Sequence, residues 1–270
     1  MALSLGALLL GLQATSCETR PGATPSARQA PASSAPSAPV APTTPAVSAA
    51  AGFQGCRQHF AGGLPPVQPR APKLRELCFD AFALLHSGNT RSPVYVAERL
   101  NRQSLQQAQG VARSNRFFAD ARLPRGERAE LDDYRGSGYA RGHMAPAGDM
   151  PTATAMAQSF SLANMVPQDP AHNSGAWSKI EQDTRKYVMR AQGDVYVITG
   201  PAYTRDYRSI GPRGVAVPTE LFKLVYDPHT GKSWAHWQHN APKVRPGPPI
   251  SYDELTRRIG KELMPVLRQH

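Results

Sequence analysis

The sequence predicts an α+β fold in a single domain. Three runs rich in β-branched and aromatic residues indicate strands, and they lie at 94–97, 195–199 and 221–226. Two helices are indicated, one by a 3.6-residue apolar period after Asn173 and one by Ser251-Tyr252-Asp253-Glu254, which is typical of a capping box. Residues 54–270 show no internal repeat or second composition break, and they suffice for one substantial core.

The first 17 residues resemble an export signal. Leu3 to Leu12 is an apolar run that is too short for a comfortable membrane span, and Ala14-Thr15-Ser16-Cys17 follows it. This tetrapeptide resembles a loose bacterial lipobox, so Cys17 is either lipidated, which gives a membrane tether, or part of a plain leader. We therefore expect an exported protein that is periplasmic, secreted or lipid-anchored to a bacterial membrane.

Residues 18–53 have the composition of a linker. Ala, Pro, Ser and Thr dominate this stretch, and such a composition cannot bury a core. It favours a disordered, extended and semi-rigid tether. A lipoprotein stalk and a plain exported spacer fit it equally well.

Apart from Cys17, the chain contains two cysteines, Cys56 and Cys78. An oxidising compartment would allow this even pair to form a disulfide. The alternative is two unpaired, buried cysteines. Their spacing does not match that of zinc ligands, so a zinc site is not expected.

Residues 141–185 contain the side chains that indicate a function. They are Arg141-Gly142-His143, Asn164, Asn173, Glu181 and Arg185. Hydrolysis of a phosphodiester needs a base for the attacking water, a cation on the phosphate and leaving oxygens, and positive groups for the developing charge. This segment supplies a candidate for each, and it therefore predicts a metal-assisted nuclease site.

The second half of this segment is predicted to form a helix capped by Ser174 or Asn173. Its buried stripe is expected to comprise Trp177, Ile180, Thr184, Tyr187 and Val188. Glu181 and Arg185 are then neighbours along the edge of the stripe, at i and i+4.

An amide at the start of this helix is a suitable ligand for a hydrated magnesium ion. The oxygen of Asn173 is a hard, neutral donor, and Mg²⁺ keeps most of its waters and completes its shell with phosphate oxygens. Glu181 lies about 12 Å further along the helix axis, at ~1.5 Å per residue. We therefore assign Glu181 to the water shell of the metal and to Arg185.

The stretch before the helix, residues 133–143, contains a glycine-broken turn between short runs. This pattern is consistent with an irregular hairpin. A hairpin followed by a helix would place His143 opposite Asn173.

These residues resemble the DNA/RNA non-specific endonucleases, the ββα-metal or His-Me finger family, which is endonuclease G-like. The resemblance covers most of residues 54–270. It depends on Gly138-Tyr139-Ala140-Arg141-Gly142-His143-Met144-Ala145-Pro146, on Ser161-Leu162-Ala163-Asn164-Met165-Val166-Pro167-Gln168, on Asn173, Trp177, Glu181 and Arg185, and on the strand-like 195–201 and 217–223.

The resemblance implies a central antiparallel sheet with flanking helices, which carries the active-site motif on one face. It also implies a single Mg²⁺ held directly by Asn173, for which Mn²⁺ can substitute, and His143 as the general base for in-line attack by water. Cleavage would leave 5′-phosphate and 3′-hydroxyl ends.

The remaining site residues receive their roles from the same resemblance. Arg141 and Arg185 would bind and stabilise the phosphate, and Asn164 would support the site. Glu181 would orient metal-bound water. Arg116 is the candidate for a further substrate-binding arginine of the family.

One position departs from the family pattern, since Ala140 stands where an aspartate usually precedes Arg-Gly-His. Loss of such a supporting group typically costs about 10- to 100-fold in affinity or activity. We expect a slower enzyme. The alternative is a catalytically impaired nucleic-acid-binding surface protein of the same fold.

The charge of the chain agrees with a polyanionic partner. The 31 Lys and Arg outnumber the 20 Asp and Glu, which gives a formal net charge of +11. Phosphate attraction of this kind is strong and sensitive to salt. Aromatic residues are sparse, and no basic run interleaved with stacking rings suggests base reading, so we expect both DNA and RNA as substrates.

The other histidines and serines are weaker candidates. His236 and His239 are three residues apart on a predicted strand and therefore point to opposite faces. His172 is expected to have a surface or capping role. Ser161 and Ser174 lack the context of a nucleophile elbow, so serine hydrolysis is a poor alternative.

Overall fold

The computed structural model of the protein describes residues 52–68 and 71–268. The predicted leader at 1–17 with Cys17, and all but the last two residues of the 18–53 linker, lie outside the described residues. Within the two described ranges, none of the helices has the length and apolarity needed to traverse a lipid bilayer.

The described residues contain strands and helices in an irregular order. The strands are β1 Leu74–Cys78, β2 Phe82–Ser87, β3 Ser92–Leu100, β4 Ala140–His143, β5 Met165–Gln168, β6 Val195–Ala202, β7 Ser209–Ile210, β8 Val215–Ala216, β9 Glu220–Asp227 and β10 Lys232–His239. The helices are α1 Arg102–Ala108, α2 Leu131–Tyr134, α3 Ala153–Ser159, α4 Pro170–His172, α5 Ser178–Val188 and α6 Tyr252–Ile259. Short 3-10 helices lie at Arg57–His59, Ala61–Gly63, Ala147–Asp149, Leu162–Asn164 and Pro265–Arg268, and a π-helical turn at Asn173–Trp177.

A six-stranded antiparallel sheet forms the centre of the fold. Its strand order is β1-β2-β3-β6-β9-β10, and every neighbouring pair is antiparallel. The three strands predicted from sequence are β3, β6 and β9, which lie side by side in this sheet. Strands β4 and β5 pair separately, as do β7 and β8. The predicted α+β class with a central antiparallel sheet is confirmed.

Alternate residues of a strand point to opposite faces of the sheet. Different parts of the chain cover these two faces. We call one the site face: it carries Phe82, Leu84, Val96 and Leu221, which pack in one core cluster with Trp177 and Ile180. The opposite face carries Leu85, Tyr95, Phe222 and Leu224, which pack with Phe53, Phe60, Tyr252 and Leu255. The predicted functional segment therefore covers only the site face.

A disulfide joins Cys56 to Cys78 and ties the start of the described chain to β1. The expectation of a bridged pair is confirmed, and the alternative of two free thiols is wrong. Phe53 and Phe60 lie on either side of Cys56, with ring centres 4.9 Å apart, and both pack near Tyr95. The bridge thus holds Phe53 and Phe60 against the opposite face of the sheet.

The helix at 170–188 begins earlier than the sequence predicted. Asp169 is its N-cap, since the Asp169 carboxylate accepts the His172 backbone N–H at 2.9 Å, and Pro170 occupies the first helical position. Ser174 instead donates its hydroxyl to the Pro170 carbonyl inside the helix. The predicted cap at Ser174 or Asn173 is wrong, because Asp-Pro is itself a strong start signal.

The apolar stripe of this helix agrees with the predicted period. The four fully buried members are Trp177, Ile180, Thr184 and Val188. Tyr187 is half-buried, because its ring packs at the helix edge against Trp234 and its hydroxyl donates to Asp227 at 2.7 Å. We refer to 170–188 as the active-site helix.

The strand partner of β4 differs from the prediction. Residues 133–143 do not form a local hairpin: α2 is followed by turns with Gly136 at φ 66° and Gly138 at φ 79°, and β4 then pairs with β5. His143 lies opposite Met165 in this antiparallel pair. The residues between β4 and β5 contribute Met144, Met150, Met156 and Phe160 to the core. Turn residues before β4 do not reveal this packing, because it depends on contacts between distant parts of the chain.

The final helix begins where the sequence predicted. Ser251 is the N-cap of α6, and its hydroxyl oxygen accepts the Glu254 backbone N–H at 3.1 Å. The Glu254 side chain pairs with Arg257 and Arg258 instead of reaching back to the cap. Gly260, at φ 65°, ends the helix.

We expect the Cys56–Cys78 bridge to stabilise the domain by about 3 kcal/mol, because it closes a loop of roughly 20 residues in the unfolded chain. The test is the urea midpoint of the oxidised protein against that of the Cys56→Ser/Cys78→Ser variant. Reductant should lower the midpoint of the natural protein and leave that of the variant unchanged. Equal midpoints for the two proteins would contradict a stabilising bridge.

Candidate active site

His143 ends strand β4 in an aromatic setting. Its ring centre lies 4.9 Å from that of Phe160 and 5.9 Å from that of Phe117. Burial, reinforced by the charge of Arg113, lowers the pKa of His143 to about 3. Nε2 is buried without a hydrogen-bond partner among the described residues, which leaves Nδ1 for contact with water or substrate. The ring is therefore neutral at physiological pH, as a proton acceptor must be.

Asn164 fixes the backbone that follows His143. Its Oδ1 accepts the Ala145 N–H at 2.9 Å, and its Nδ2 donates to the carbonyls of Ala145 and Ser159, both at 2.9 Å. The Asn164 carbonyl also accepts the Met144 N–H at 3.0 Å. Because the Asn164 side chain is completely buried, it supports the site from behind and does not face substrate.

Gly142 is required by the side chain of the neighbouring strand. A Cβ at this position would lie 2.0 Å from Oε1 of Gln168 and 2.6 Å from its Cβ. Gln168 is fully buried and contacts Nδ1 of His172 through Nε2 at 3.0 Å. The glycine of Arg-Gly-His thus allows β4 to approach β5 closely.

Arg141 lies on the same face of β4 as His143, two residues away. Its guanidinium is 4.2 Å from the centre of the Phe117 ring. Phe117 therefore touches both the cation and the imidazole, and it fixes the direction of Arg141 through a cation–π contact. Sequence reasoning did not identify Phe117 as a site residue.

Of the two arginines before Phe117, Arg113 is the one that the structure connects to His143. Its guanidinium lies 5.0 Å from the Phe160 ring and donates to Asn115 Oδ1 at 2.8 Å. Arg116 is exposed, and its assignment as a substrate-binding residue stays a prediction. Asn115, which lies between the two arginines, has a left-handed backbone conformation with φ 55°, a feature that spacing alone does not show.

The active-site helix carries the other three predicted residues. Asn173 lies in its second turn, half-buried, and its side chain makes no hydrogen bond to another described residue. Glu181 and Arg185 follow on α5, one turn apart. Arg185 donates to Oδ1 of the buried Asp149 at 2.9 Å, so part of its charge is already neutralised.

The carboxyl group of Glu181 has an unusual environment. Burial raises its pKa to about 7, while the positive charges of Lys223 and Arg185 oppose the rise and Asp149 adds to it. The protonated form of Glu181 is therefore favoured more strongly than that of a glutamate in water. Perturbed carboxyl groups of this kind are typical of functional sites.

Three comparisons with known proteins agree with this geometry. A family model described as DNA/RNA non-specific endonuclease matches residues 67–258 of the chain. The chain belongs to this family. The match to the DNA/RNA non-specific endonuclease family spans β1 to β10 and includes every predicted site residue.

Individual relatives share about a third of the aligned residues. "Nuclease 1, mitochondrial" of Schizosaccharomyces pombe is 38% identical over 156 residues, which are 53% of this chain and 48% of that protein. Human "Nuclease EXOG, mitochondrial" is 36% identical over 159 residues, 55% of this chain and 43% of that one. The chain thus spans about half the length of these curated relatives. Bovine "Endonuclease G, mitochondrial" is 34% identical over 192 residues, 66% of this chain and 64% of that protein.

A solved structure shows the same fold. A chain from a crystal structure of the EndoG/EndoGI complex, which concerns inhibition of EndoG, superposes with a TM-score of 0.65 at 28% identity. The superposition covers 73% of this chain and 87% of that chain. The likeness confirms the predicted sheet with its ββα-metal motif, here formed by β4, β5 and the active-site helix.

The metal donors at the nuclease-family site fit a hydrated divalent ion better than an ion coordinated entirely by protein side chains. Among the described residues, no three His, Cys, Asp or Glu side chains converge as metal ligands. The free amide of Asn173 instead offers one hard oxygen, with the Glu181 carboxyl further along the same helix. A single hard oxygen of this kind suits a divalent cation that retains most of its waters.

The surroundings of the weaker site candidates show where these histidines and serines lie. His172 is buried behind β5, so the expected surface role is wrong. His236 and His239 lie on opposite faces of β10 as predicted, and His239 is an exposed partner of Glu220. The Ser161 hydroxyl donates to the buried Asp120 carboxylate at 3.0 Å.

We expect Asn164→Ala to lower the free energy of unfolding by at least about 3 kcal/mol. It leaves three buried backbone groups of Ala145 and Ser159 without partners, at about 1–3 kcal/mol each. Chemical denaturation measures the effect, with Gln106→Ala, exposed on α1, as the matched control. A loss of unfolding free energy no larger than that of the control would show that the hydrogen bonds of the Asn164 side chain do not stabilise the fold.

Proposed function

We propose that the protein is a divalent-metal-dependent endonuclease that hydrolyses DNA and RNA without sequence preference. The observation that carries this proposal is the placement of a neutral His143, with Nδ1 within reach of solvent, beside Arg141 on one face of β4. Membership of the nuclease family supports it.

In this proposal His143 is the general base. Nδ1 accepts a proton from the attacking water as the water oxygen bonds to phosphorus, and the bond from phosphorus to the 3′ oxygen breaks. The 3′ oxygen takes up a proton from solvent, which leaves 5′-phosphate and 3′-hydroxyl ends. A pKa near 3 makes a weak base in the free protein. A bound phosphate raises the basicity of the ring because its negative charge favours the imidazolium.

The remaining residues hold the phosphate and the ion. Arg141, whose direction is fixed by Phe117, and Arg185 donate hydrogen bonds to phosphate oxygens. Asn173 would hold the ion, Mg²⁺ with Mn²⁺ as a substitute, and the bound ion supplies positive charge for the phosphate and leaving oxygens. Glu181 would orient water bound to the ion, and Asn164 keeps the His143 backbone in place.

The substrate class follows from charge. The net charge of +11 favours a polyanion. Arginine contacts to phosphate carry no base information, so cleavage of both DNA and RNA is expected.

The replacement of the usual aspartate by Ala140 leaves the strand geometry intact. Ala140 begins β4 opposite Gln168, and the β4–β5 pairing and the His143 environment form without a carboxylate there. This favours a slower enzyme over a binding protein that has lost catalysis.

We propose an exported location, and the Cys56–Cys78 disulfide supports it, because such bridges persist in oxidising compartments. The mitochondrial location in the names of several relatives belongs to those proteins. Lipidation of Cys17, with a membrane tether, stays part of the same proposal.

Plasmid nicking by the purified protein with Mg²⁺ tests the proposed activity. We expect EDTA to abolish nicking and His143→Ala to reduce it by about 100-fold or more, because the base is lost. Asn173→Ala should raise the Mg²⁺ concentration needed for activity. The matched control is His229→Ala, an exposed histidine in the turn between β9 and β10, which should cleave like the natural protein.

A protein that shifts DNA in a gel but does not cut it under any of these conditions would overturn the enzyme proposal. It would establish the nucleic-acid-binding alternative instead.

The rate of cleavage should fall as the pH drops through the pKa of Glu181, whose functional form is the carboxylate. Burial raises this pKa to about 7 in the metal-free protein, and a bound cation shifts the pKa, and with it the fall in rate, to lower pH. His143, with a pKa of about 3, stays neutral through this range. Rates of single-turnover cleavage from pH 5.5 to 9 measure the effect, and Glu181→Gln should lower the rate and remove this acid limb. An acid limb that persists in Glu181→Gln would assign it to another group.

A further inference from the structure

The active-site helix contains a π-helical turn at the residue proposed to hold the ion. This turn covers Asn173–Trp177, and it lies between the α-helical residues Pro170–His172 and Ser178–Val188. A π-helical turn has about one residue more than an α-helical turn, and each residue of an α-helix turns by about 100°. The direction in which the Asn173 side chain points therefore depends on how the start of the helix is held.

Packing fixes the end of the π-helical turn more firmly than its start. Trp177 is completely buried in the core cluster of the site face. In the first turn of the helix, Pro170 and Ala171 are exposed, and His172 is the buried residue. Hydrogen bonds to the backbone at the helix start consequently contribute more to its position than apolar contacts do.

Asn240 supplies hydrogen bonds at this helix start. Its Oδ1 accepts the backbone N–H of Asp169, the N-cap of the helix, at 2.8 Å. Its Nδ2 donates to the carbonyls of Pro167 at 3.0 Å and Pro218 at 2.9 Å. The Asp169 carbonyl in turn accepts the Asn173 N–H at 2.8 Å. Two consecutive hydrogen bonds thus connect the Asn240 carboxamide to the backbone of Asn173.

The central sheet holds Asn240 in place. This residue follows directly after β10, and its N–H donates to the Thr219 carbonyl at 2.9 Å, next to the paired His239 and Glu220. The Thr219 N–H donates to the Ala202 carbonyl, the last residue of β6, at 3.1 Å. The carboxamide therefore extends from the ends of β6, β9 and β10 to the junction between β5 and the active-site helix.

Asn240 and Asn164 have corresponding places in the site. The Asn164 side chain makes three hydrogen bonds to the backbone around His143, and the Asn240 side chain makes three around the start of the helix that carries Asn173. A carboxamide that uses its acceptor and both donors on the backbone holds the bonded segments in one arrangement. One amide thus fixes the histidine and the other fixes the helix.

We propose that Asn240 is a positioning residue of the metal site, which directs the Asn173 side chain to the ion by fixing the first turn of the active-site helix. The role toward the ion rests on the proposed function, in which Asn173 holds a divalent cation. The effect on the helix start is a property of the metal-free protein and is measured separately.

The first test is amide hydrogen exchange in the metal-free protein, followed by NMR. In Asn240→Ala the amides of Asp169 and Asn173 should exchange at least about tenfold faster relative to amides of the central sheet, because the first loses its acceptor and the second is bonded to the same residue. The matched control is Asn101→Ala, which removes a half-buried asparagine that caps α1 and should leave both rates unchanged. Unchanged exchange in Asn240→Ala would overturn the proposal.

The second test measures the affinity for Mn²⁺ from the electron paramagnetic resonance signal of the free ion. The Kd of Asn240→Ala should be about tenfold or more above that of the natural protein, and Asn101→Ala should bind like the natural protein. In an Asn173→Ala background, Asn240→Ala should cause little further loss, because both act through one ligand. Equal affinities of Asn240→Ala and Asn101→Ala, or a further tenfold loss without Asn173, would overturn the proposal.

Asn240→Ser serves both tests if the alanine variant does not fold. Its hydroxyl keeps one hydrogen-bonding group, so the changes in exchange and in Kd should have the same direction and be smaller. Exchange rates and a Kd equal to those of the natural protein in this folded variant would equally overturn the proposal.

Cleavage of plasmid DNA gives a kinetic readout that a general loss of stability does not produce. The Mg²⁺ concentration for half-maximal rate should rise about tenfold in Asn240→Ala, while the rate at saturating Mg²⁺ stays within about threefold of the natural rate. A loss of rate that saturating Mg²⁺ does not restore would show that Asn240 does not act through the metal ligand.

These measurements separate the inference from the proposed function. A natural protein that binds no Mn²⁺ and cleaves no nucleic acid would refute the proposed function, and with it the role of Asn240 toward the ion, while hydrogen exchange still decides whether Asn240 fixes the helix start. A natural protein that binds Mn²⁺ equally well with and without the Asn240 side chain would refute the inference alone.

Discussion

The packing of Trp177 between the active-site helix and the sheet is the contact on which the rest of the site depends. The side chain is completely buried, lies in the cluster that includes Ile180 and Leu84, and touches the ring of His172 and the ammonium of Lys223. A helix docked through a large rigid ring has little freedom to rotate or slide. Consequently the positions of Asn173 and Glu181, one turn before and one turn after Trp177, follow from this contact.

The groups buried around the site also lower the free energy of unfolding relative to an apolar core. Buried carboxyl groups and cations between helix and sheet cost more desolvation free energy than apolar residues of the same size. The fold tolerates them because other interactions stabilise it. Among these are the hydrogen bonds of Asn164 to the backbone that follows His143, and the disulfide on the opposite face of the sheet. Local rules that fail in a well-packed protein tend to fail at its functional site, and the buried Glu98, Asp149 and Lys223 fit that pattern.

Several features could be predicted from neighbouring residues in the sequence, whereas the pairing of β4 with a distant strand could not. The apolar period of the active-site helix and the cap at Ser251 are local, and both agree with the structure. The partner of β4 is β5, which lies beyond a stretch that fills the core, so turn residues before β4 could not reveal it. Arg113 likewise could not be predicted from spacing, because its contact with the Phe160 ring, which packs against His143, depends on the fold.

The sequence by itself determined the family, the α+β class, the chemical types available for catalysis and the order in which they occur, because motif spacing and hydrophobic period are properties of the chain alone. Only the tertiary structure decided which of these groups are neutral or ionised. Burial and the charges brought in by other strands set the pKa of His143 and of Glu181. The buried Lys223 lies near Trp177 of the active-site helix only because the sheet places β9 on that side of the fold.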